Sequence, residues 1–312
     1  MIEVLQSGTL TTLQDAGRAG LRDKGIPQSG AADRLSFALA NYMLGNAWDA
    51  PALECTLGGL HLRILRDTAI ALAGAEMWAQ INGQNVNNFT AFPVKKGDVL
   101  TLSFARKGVR AYIALAGGFK AAPVMGSVST YAPAKLGGLD GHALKNGDRL
   151  EAADSGGDIA RQKIPTGYTP YLSNHIILRA RSGPEFHKLT DESRRHLFIS
   201  PYFATPQTDR MGARLRGNHT AVQPGFSLAS SPLLPGTLQV PPDGQPILAL
   251  IDGHCTGGYA RALQVIRADQ WLMGQIGPET QISFRRCQEG EAEDILHYRN
   301  AFYSRLIKGF SF

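Results

Sequence analysis

Eight residues late in the chain, Asp252-Gly253-His254-Cys255-Thr256-Gly257-Gly258-Tyr259, set a carboxylate, an imidazole, a thiol, a hydroxyl and a phenol beside two consecutive glycines. A cysteine next to a histidine invites a reading as nucleophile and base. Neighbours on an extended chain point to opposite sides, however, so the imidazole is poorly placed to take its neighbour's proton. His254 is therefore the better candidate for ligand binding or acid/base work, with an ordinary surface or core histidine as the plain alternative.

Three further segments combine glycines with small polar residues where a folded chain needs only turns. In Thr208–Gly217 (TDRMGARLRG), Asp209 and Arg210 pair with each other at a strand end, or Arg210 grips an anion with its planar fork. In Thr11–Asp33, Ser29-Gly30-Ala31 runs into an expected helix start, where free N–H groups hold a carboxylate or phosphate. Ser29 would add a hydroxyl there and Arg18 or Arg22 charge; otherwise the segment is a capped loop with Asp33 at the helix start. In Tyr112–Thr130, Gly117-Gly118 ends a strand and permits close backbone approach, and Ser127, Ser129 and Thr130 offer hydroxyls. No Gly-Lys-Ser/Thr follows those glycines, so this is not a P-loop, and no serine sits in a G-x-S-x-G elbow. The eight histidines show no H-x-x-x-H spacing, and no metal site is expected.

The elements that must position these residues read as mainly β with a few helices. From Leu60 to Gly117, short apolar or alternating runs (HLRILRD, TAIALAG, MWAQING, VLTLSFA, VRAYIALAGG) are separated by turn signals at Asn82-Gly83, Lys96-Gly97-Asp98 and Lys107-Gly108. Runs this short and this closely spaced predict a sandwich or barrel. A helix is expected over about residues 32–44, with Gly45 as its stop. Near residues 153–169 the chain turns polar (Ser155-Gly156-Gly157, Pro165, Gly167), which predicts two domains, 1–160 and 161–312. In the second, HIILRARSG, PILALID, GGYARALQVI and QISFRRC read as strands, Thr190 as the N-cap of a short helix, ADQWLMGQI as a helical turn, and residues 291–308 as a C-terminal helix.

Composition excludes several classes. At 43% hydrophobic and 19% charged residues the chain is globular rather than disordered. Its net charge of +6 is spread out. The local excess between Arg179 and Arg216, eight Lys/Arg against four Asp/Glu, is a solvated basic face or an anion site, and no nucleic-acid stripe appears. Three widely spaced cysteines without a C-x-x-C pair predict a reducing, cytoplasmic setting. No apolar leader follows Met1 and no apolar run spans a bilayer, so neither a signal peptide nor a membrane segment is expected.

The ordered motifs LTTLQDAGRAGLRDKGIPQSGAAD, ANYMLGN, LECTLGG, AYIALAGGF, GSVST, DRMGARLRG, QVPPDGQPI and TGGY cover nearly the whole chain. Together they resemble the family of the bacterial 5-oxoprolinase C subunit, also called KipA-like or allophanate hydrolase subunit 2, whose module recurs in the carboxyltransferase part of biotin-dependent urea carboxylase. That resemblance implies two cyclophilin-like β-barrel domains and a site shared with a KipI-like B subunit; a further A subunit would complete the enzyme. It implies ATP-dependent opening of the lactam 5-oxoproline to glutamate, with the chain inactive alone. Two alternatives come with it: a carboxyltransferase component that acts on urea or another amide, and a KipA-like regulatory binding protein. The Met-Lys-Met that accepts biotin is absent, so any biotin would arrive on another protein; no Walker motif is present, so ATP would be used by the complex. The expected catalytic residues are Arg210, Asp252 and His254. The expected substrate-binding residues are Ser29, Gly30, Asp33, Gly117, Gly118, Ser127, Ser129, Asp209, Thr256, Gly257 and Tyr259. Where relatives carry Gln-Thr-Thr-Gly-Gly-Tyr-Pro, this chain has His254-Cys255-Thr256-Gly257-Gly258-Tyr259-Ala260, and a different substrate preference follows if that Gln contacts substrate.

Overall fold

The computed structural model describes residues 1–153 and 162–312. The expected boundary at 160/161 and the Ser155-Gly156-Gly157 stretch lie outside the described residues. The chain forms two compact units. The first comprises Met1–Arg18, Ser29–Leu172 and Phe302–Ser311; the second comprises Ala19–Gln28, Ser173–Ala301 and Phe312.

The first unit is built from β1 (Ile2–Ser7), β2 (Leu10–Gln14), α1 (Arg34–Met43), β3 (Ala52–Thr56), β4 (Leu60–Ile64), β5 (Thr68–Ile81), β6 (Gln84–Val86), β7 (Thr90–Val94), β8 (Val99–Leu115) and β9 (Arg149–Leu150). Among the described residues these strands form one nine-stranded sheet, ordered β2-β3-β8-β4-β1-β9, with β5 pairing β6, β7 and β8. It curls into a half-barrel. Alternation sets its faces: Leu60, Leu62 and Ile64 of β4 are buried in the main core. β5 is buried on both sides. Ile70 and Leu72 join that core, whereas Ala69, Ala71 and Ala73 form a shallow surface on which Phe37, Ala40 and Met43 of α1 pack.

The four runs expected between Thr68 and Gly117 are two long, bent strands. Gly74, at φ +96°, lies so close to β8 that a Cβ would stand 2.5 Å from the Arg110 carbonyl oxygen. The pairing with β8 shifts register between Gly74 and Ala79. Lys107-Gly108 is thus an irregularity inside β8 rather than a turn that ends a strand.

The second unit contains β10 (His175–Ser182), α2 (Asp191–Ile199), β11 (Tyr202–Thr208), β12 (Gly212–Arg216), β13 (Ser231–Pro232), β14 (Thr237–Val240), β15 (Ile247–Ala249), β16 (Thr256–Gly257), β17 (Ala260–Val265), α3 (Gln270–Met273) and β18 (Gln281–Arg286). α4 follows at Glu289–Ser304. Seven strands close a barrel in the order β10-β17-β14-β15-β12-β11-β18, and β13 and β16 form a separate ribbon. Ile176, Leu178 and Ala180 of β10, with Leu238 and Val240 of β14, fill the barrel at every second position. Thr190 caps α2, its side chain accepting from the Ser193 N–H as expected. The mainly β expectation is met, with full closure in one unit and a curled sheet in the other. No helix among the described residues is long and apolar enough to cross a membrane.

Candidate functional site

In the first unit the polar residues gather around Asp15, which follows directly on β2. Its Oδ1 accepts from the Ser127 hydroxyl at 2.6 Å, the Ser129 hydroxyl at 2.5 Å and the Gly17 N–H at 2.8 Å. Its Oδ2 accepts from the Val128 N–H at 2.7 Å. The two serine oxygens accept in turn from backbone: Ser129 from the Asp15 N–H and Ser127 from the Ser129 N–H. Ser127 and Ser129 therefore close a loop internally. A carboxylate hydrogen-bonded this way is a rigid clamp between segments far apart in sequence. Asp15 carries no expected role in the sequence reading, although it stands within the quoted LQDAG.

The Ser29–Asp33 segment shares this clamp. The Ala31 N–H donates to the Asp15 carbonyl, the Ala32 N–H to Glu54 Oε2 at 2.9 Å, and the Asp33 N–H to the Tyr112 hydroxyl at 2.7 Å. Tyr112 donates to Glu54, whose other oxygen pairs with buried Arg110. Burial first, then the charges of Glu54 and Asp33, hold the Tyr112 phenol well above its ordinary pKa, so it remains a donor. Asp33 caps α1, accepting from the Ser36 N–H and hydroxyl. The N–H groups expected to bind an external anion are occupied by the protein's own oxygens, and Asp33 is a helix cap rather than an open wall. Ser29 differs. It is buried at φ +54°, and its hydroxyl finds no partner among the described residues. A buried, unpaired hydroxyl on left-handed backbone is the feature of this loop that folding alone does not explain. Gly30 packs its α-carbon on Ala16 and Gly17, where a Cβ would come within 2.9 Å.

Gly117 and Gly118 form a tight turn. The Gly117 N–H donates to Asn46 Oδ1 and the Gly118 N–H to the Leu115 carbonyl, while a Cβ on Gly118 would touch Ala50 and Pro51. With both donors engaged, this turn does not fit a phosphate.

In the second unit Arg210 and Asp252 form a buried bidentate pair, Nε to Oδ2 at 2.7 Å and Nη2 to Oδ1 at 3.1 Å. The neighbouring Asp209 carboxylate accepts from the Met211 and Gly212 N–H groups in a turn. Asp252 is 42 residues away from Arg210, brought in where β12 pairs with β15. This pair anchors the segment beyond β15, whose next residues are exposed: His254, Thr256, Gly258 and Tyr259. Thr256 and Gly257 pair with Pro232 and Ser231 in the ribbon. Arg22, from the short helical turn Arg22–Lys24, fastens the ribbon, its Nη2 donating to the Leu233 carbonyl at 2.6 Å and the His254 carbonyl at 3.1 Å. Beneath Gly257 lies Gln239, absent from the expected site although quoted within QVPPDGQPI. Among the described residues no group of three or more His, Cys, Asp or Glu is placed to hold a metal ion. All three cysteines are free; Cys55 is buried, and desolvation pushes its thiol up to about 11.

Comparison with known proteins gives these arrangements a context. The profile of the family described as "Carboxyltransferase domain, subdomain A and B" matches residues 24–286. The chain is 38% identical to the 5-oxoprolinase C subunit of Escherichia coli (strain K12), across 98% of this chain and 97% of that protein. It is 32% identical to the 5-oxoprolinase C subunit of Haemophilus influenzae, across 99% and 98%. The crystal structure of the Kluyveromyces lactis urea carboxylase superimposes with a TM-score of 0.91 at 28% identity, over 99% of this chain but 29% of that one. With a family profile matching residues 24–286 and a relative 38% identical over nearly its whole length, the chain belongs to the carboxyltransferase-domain family.

Proposed function

We propose that this chain is the C subunit of a 5-oxoprolinase, a non-autonomous part of an enzyme that opens the lactam of 5-oxoproline to glutamate with ATP. One observation carries this reading: the 5-oxoprolinase C subunits match end to end, at 38% and 32% identity over nearly the full length of both partners. Their naming as subunits supports assembly with other chains. The proposed partners, in the cytoplasm, are an A subunit together with a KipI-like B subunit.

This chain's own contribution is binding and charge stabilisation. In the first unit, the Ser29 hydroxyl donates to a substrate oxygen as negative charge develops on it, held by a loop that Asp15, Glu54 and Tyr112 keep rigid. In the second, the Arg210–Asp252 pair positions the segment that carries the exposed His254 and Tyr259. ATP supplies the activation of the lactam carbonyl. The occupied N–H groups at Gly117-Gly118 do not fit its phosphates, which supports a nucleotide site elsewhere in the complex.

The likeness to the urea carboxylase favours a second reading, transfer of a carboxyl group from a biotin-bearing protein to an amide nitrogen. Incubation of the assembled subunits with ATP and 5-oxoproline, without any biotin-bearing protein, separates the two. Glutamate release is expected. Dependence on carboxybiotin, or consumption of urea in place of 5-oxoproline, would establish the second reading instead.

A further inference from the structure

We infer that the second unit holds a carboxylate-binding site formed by Gln239 and Arg22 at the β13–β16 ribbon, and that it takes the carboxylate of a small amide acid. On the reading above, with which this inference stands in series, that ligand is 5-oxoproline.

Gln239 lies on β14 between Leu238 and Val240, which fill the barrel, so alternation turns it away from the barrel core. It is nevertheless only 7% exposed, because the ribbon covers it. Its Nε2 is buried and has no acceptor among the described residues. The amide rises directly against Gly257: a Cβ there would stand 2.5 Å from Gln239 Nε2 and 3.5 Å from Leu233 Cδ2. Gly257 must therefore be bare for the amide to reach this place, and the next residue, Gly258, is exposed.

A second donor stands at the same ribbon. Arg22 Nη2 is held by the Leu233 and His254 carbonyls, whereas Nη1 is buried with no acceptor among the described residues. Leu233 links the two groups, its carbonyl on Arg22 and its side chain beside Gly257 and Gln239. The neighbouring charged groups cannot supply the missing acceptors. Glu185 has both oxygens on Arg261, and Arg261 gives its remaining nitrogen to the Pro232 carbonyl. The ribbon thus has two donors in want of acceptors, one of them cationic.

A buried donor left unmet is costly, so such an imbalance points to a ligand rich in acceptors. A carboxylate presents two oxygens and a negative charge, the complement of an amide N–H and a guanidinium N–H. The Arg22 guanidinium, a donor-only cation, disfavours a cationic ligand. An uncharged amide such as urea satisfies the geometry less well than an acid that carries its amide and its carboxylate together.

The test uses the assembled enzyme and the purified full chain. Gln239→Glu keeps the shape but sets a negative charge against the ligand; Gln239→Leu removes the donor without adding charge and serves if the first variant folds poorly. The KM for 5-oxoproline, or its Kd for the full chain by calorimetry, is expected to rise about tenfold or more in either variant, with kcat within about twofold. Arg22→Gln should act the same way. An unchanged KM in well-folded variants of an enzyme that makes glutamate overturns the site and leaves the oxoprolinase reading intact. If the wild-type assembly makes no glutamate, N-carbamoylglycine, an acyclic amide acid, becomes the calorimetric ligand. Binding that is lost in Gln239→Glu then upholds the site without that reading; absence of binding overturns both.

Discussion

Arg210 and Ser29 are both buried polar residues, yet the structure assigns them opposite consequences. Removing Arg210 leaves Asp252 as an uncompensated buried carboxylate, so Arg210→Ala should lower unfolding stability by about 3–5 kcal/mol in urea titrations. A loss below about 1 kcal/mol would show that the pair is dispensable to the fold. Ser29→Ala removes a hydroxyl that bonds nothing among the described residues. Its stability should change by less than about 1 kcal/mol, while turnover of the assembled enzyme falls about 10–100-fold through loss of one hydrogen bond to developing charge. A large stability loss with normal turnover would make Ser29 a packing residue. At this scale the sequence was partly legible. Arg210, Asp252 and Ser29 stood out by type, but their partners did not. Arg210 meets a carboxylate 42 residues away, and Ser127 and Ser129 meet an aspartate more than 110 residues earlier. Such pairings exist only once strands have found their register.

Elements were more readable than partners, because alternation and turn residues act locally. The α2 cap, the β4 and β10 alternation and the Asn82-Gly83 turn all follow from neighbours a few residues apart. The long strands β5 and β8 did not follow, since a glycine inside a run reads as an end when it is in fact a bend with pairing on both sides. One contact between elements carries a pH signature. Arg261 on β17 hydrogen-bonds Glu185 and, outweighing burial, lowers the carboxyl's pKa below its ordinary value. A carboxylate with a depressed folded-state pKa stabilises above its unfolded pKa, and that stability is lost as pH falls through the folded value. The stability gap between wild type and Glu185→Gln should therefore be constant from neutral pH to about pH 5 and shrink at lower pH. Denaturant titrations at pH 7 and at about pH 3.5 read it directly, and a gap independent of pH would contradict the assignment.

For the molecule as a whole, the mainly β character was readable from strand-length apolar runs and frequent glycines. The interleaving of the two units was not: residues 19–28 belong with the second and Phe302–Ser311 with the first. In the first unit that late segment sets Phe302 on Tyr168 at 4.3 Å and Phe310 edge-on to Trp48 at 5.6 Å, contacts between residues too distant in sequence for any local pattern to announce. Function at this scale rests on the end-to-end match to 5-oxoprolinase C subunits. Their naming as subunits favours an enzyme completed by other chains. The most direct measurement is ATP-dependent release of glutamate from 5-oxoproline, made with this chain alone and then with the proposed partner subunits present. Glutamate in the full mixture and none from the chain alone is the predicted result. Turnover by the chain alone, or no glutamate from subunits that demonstrably associate, would contradict the account.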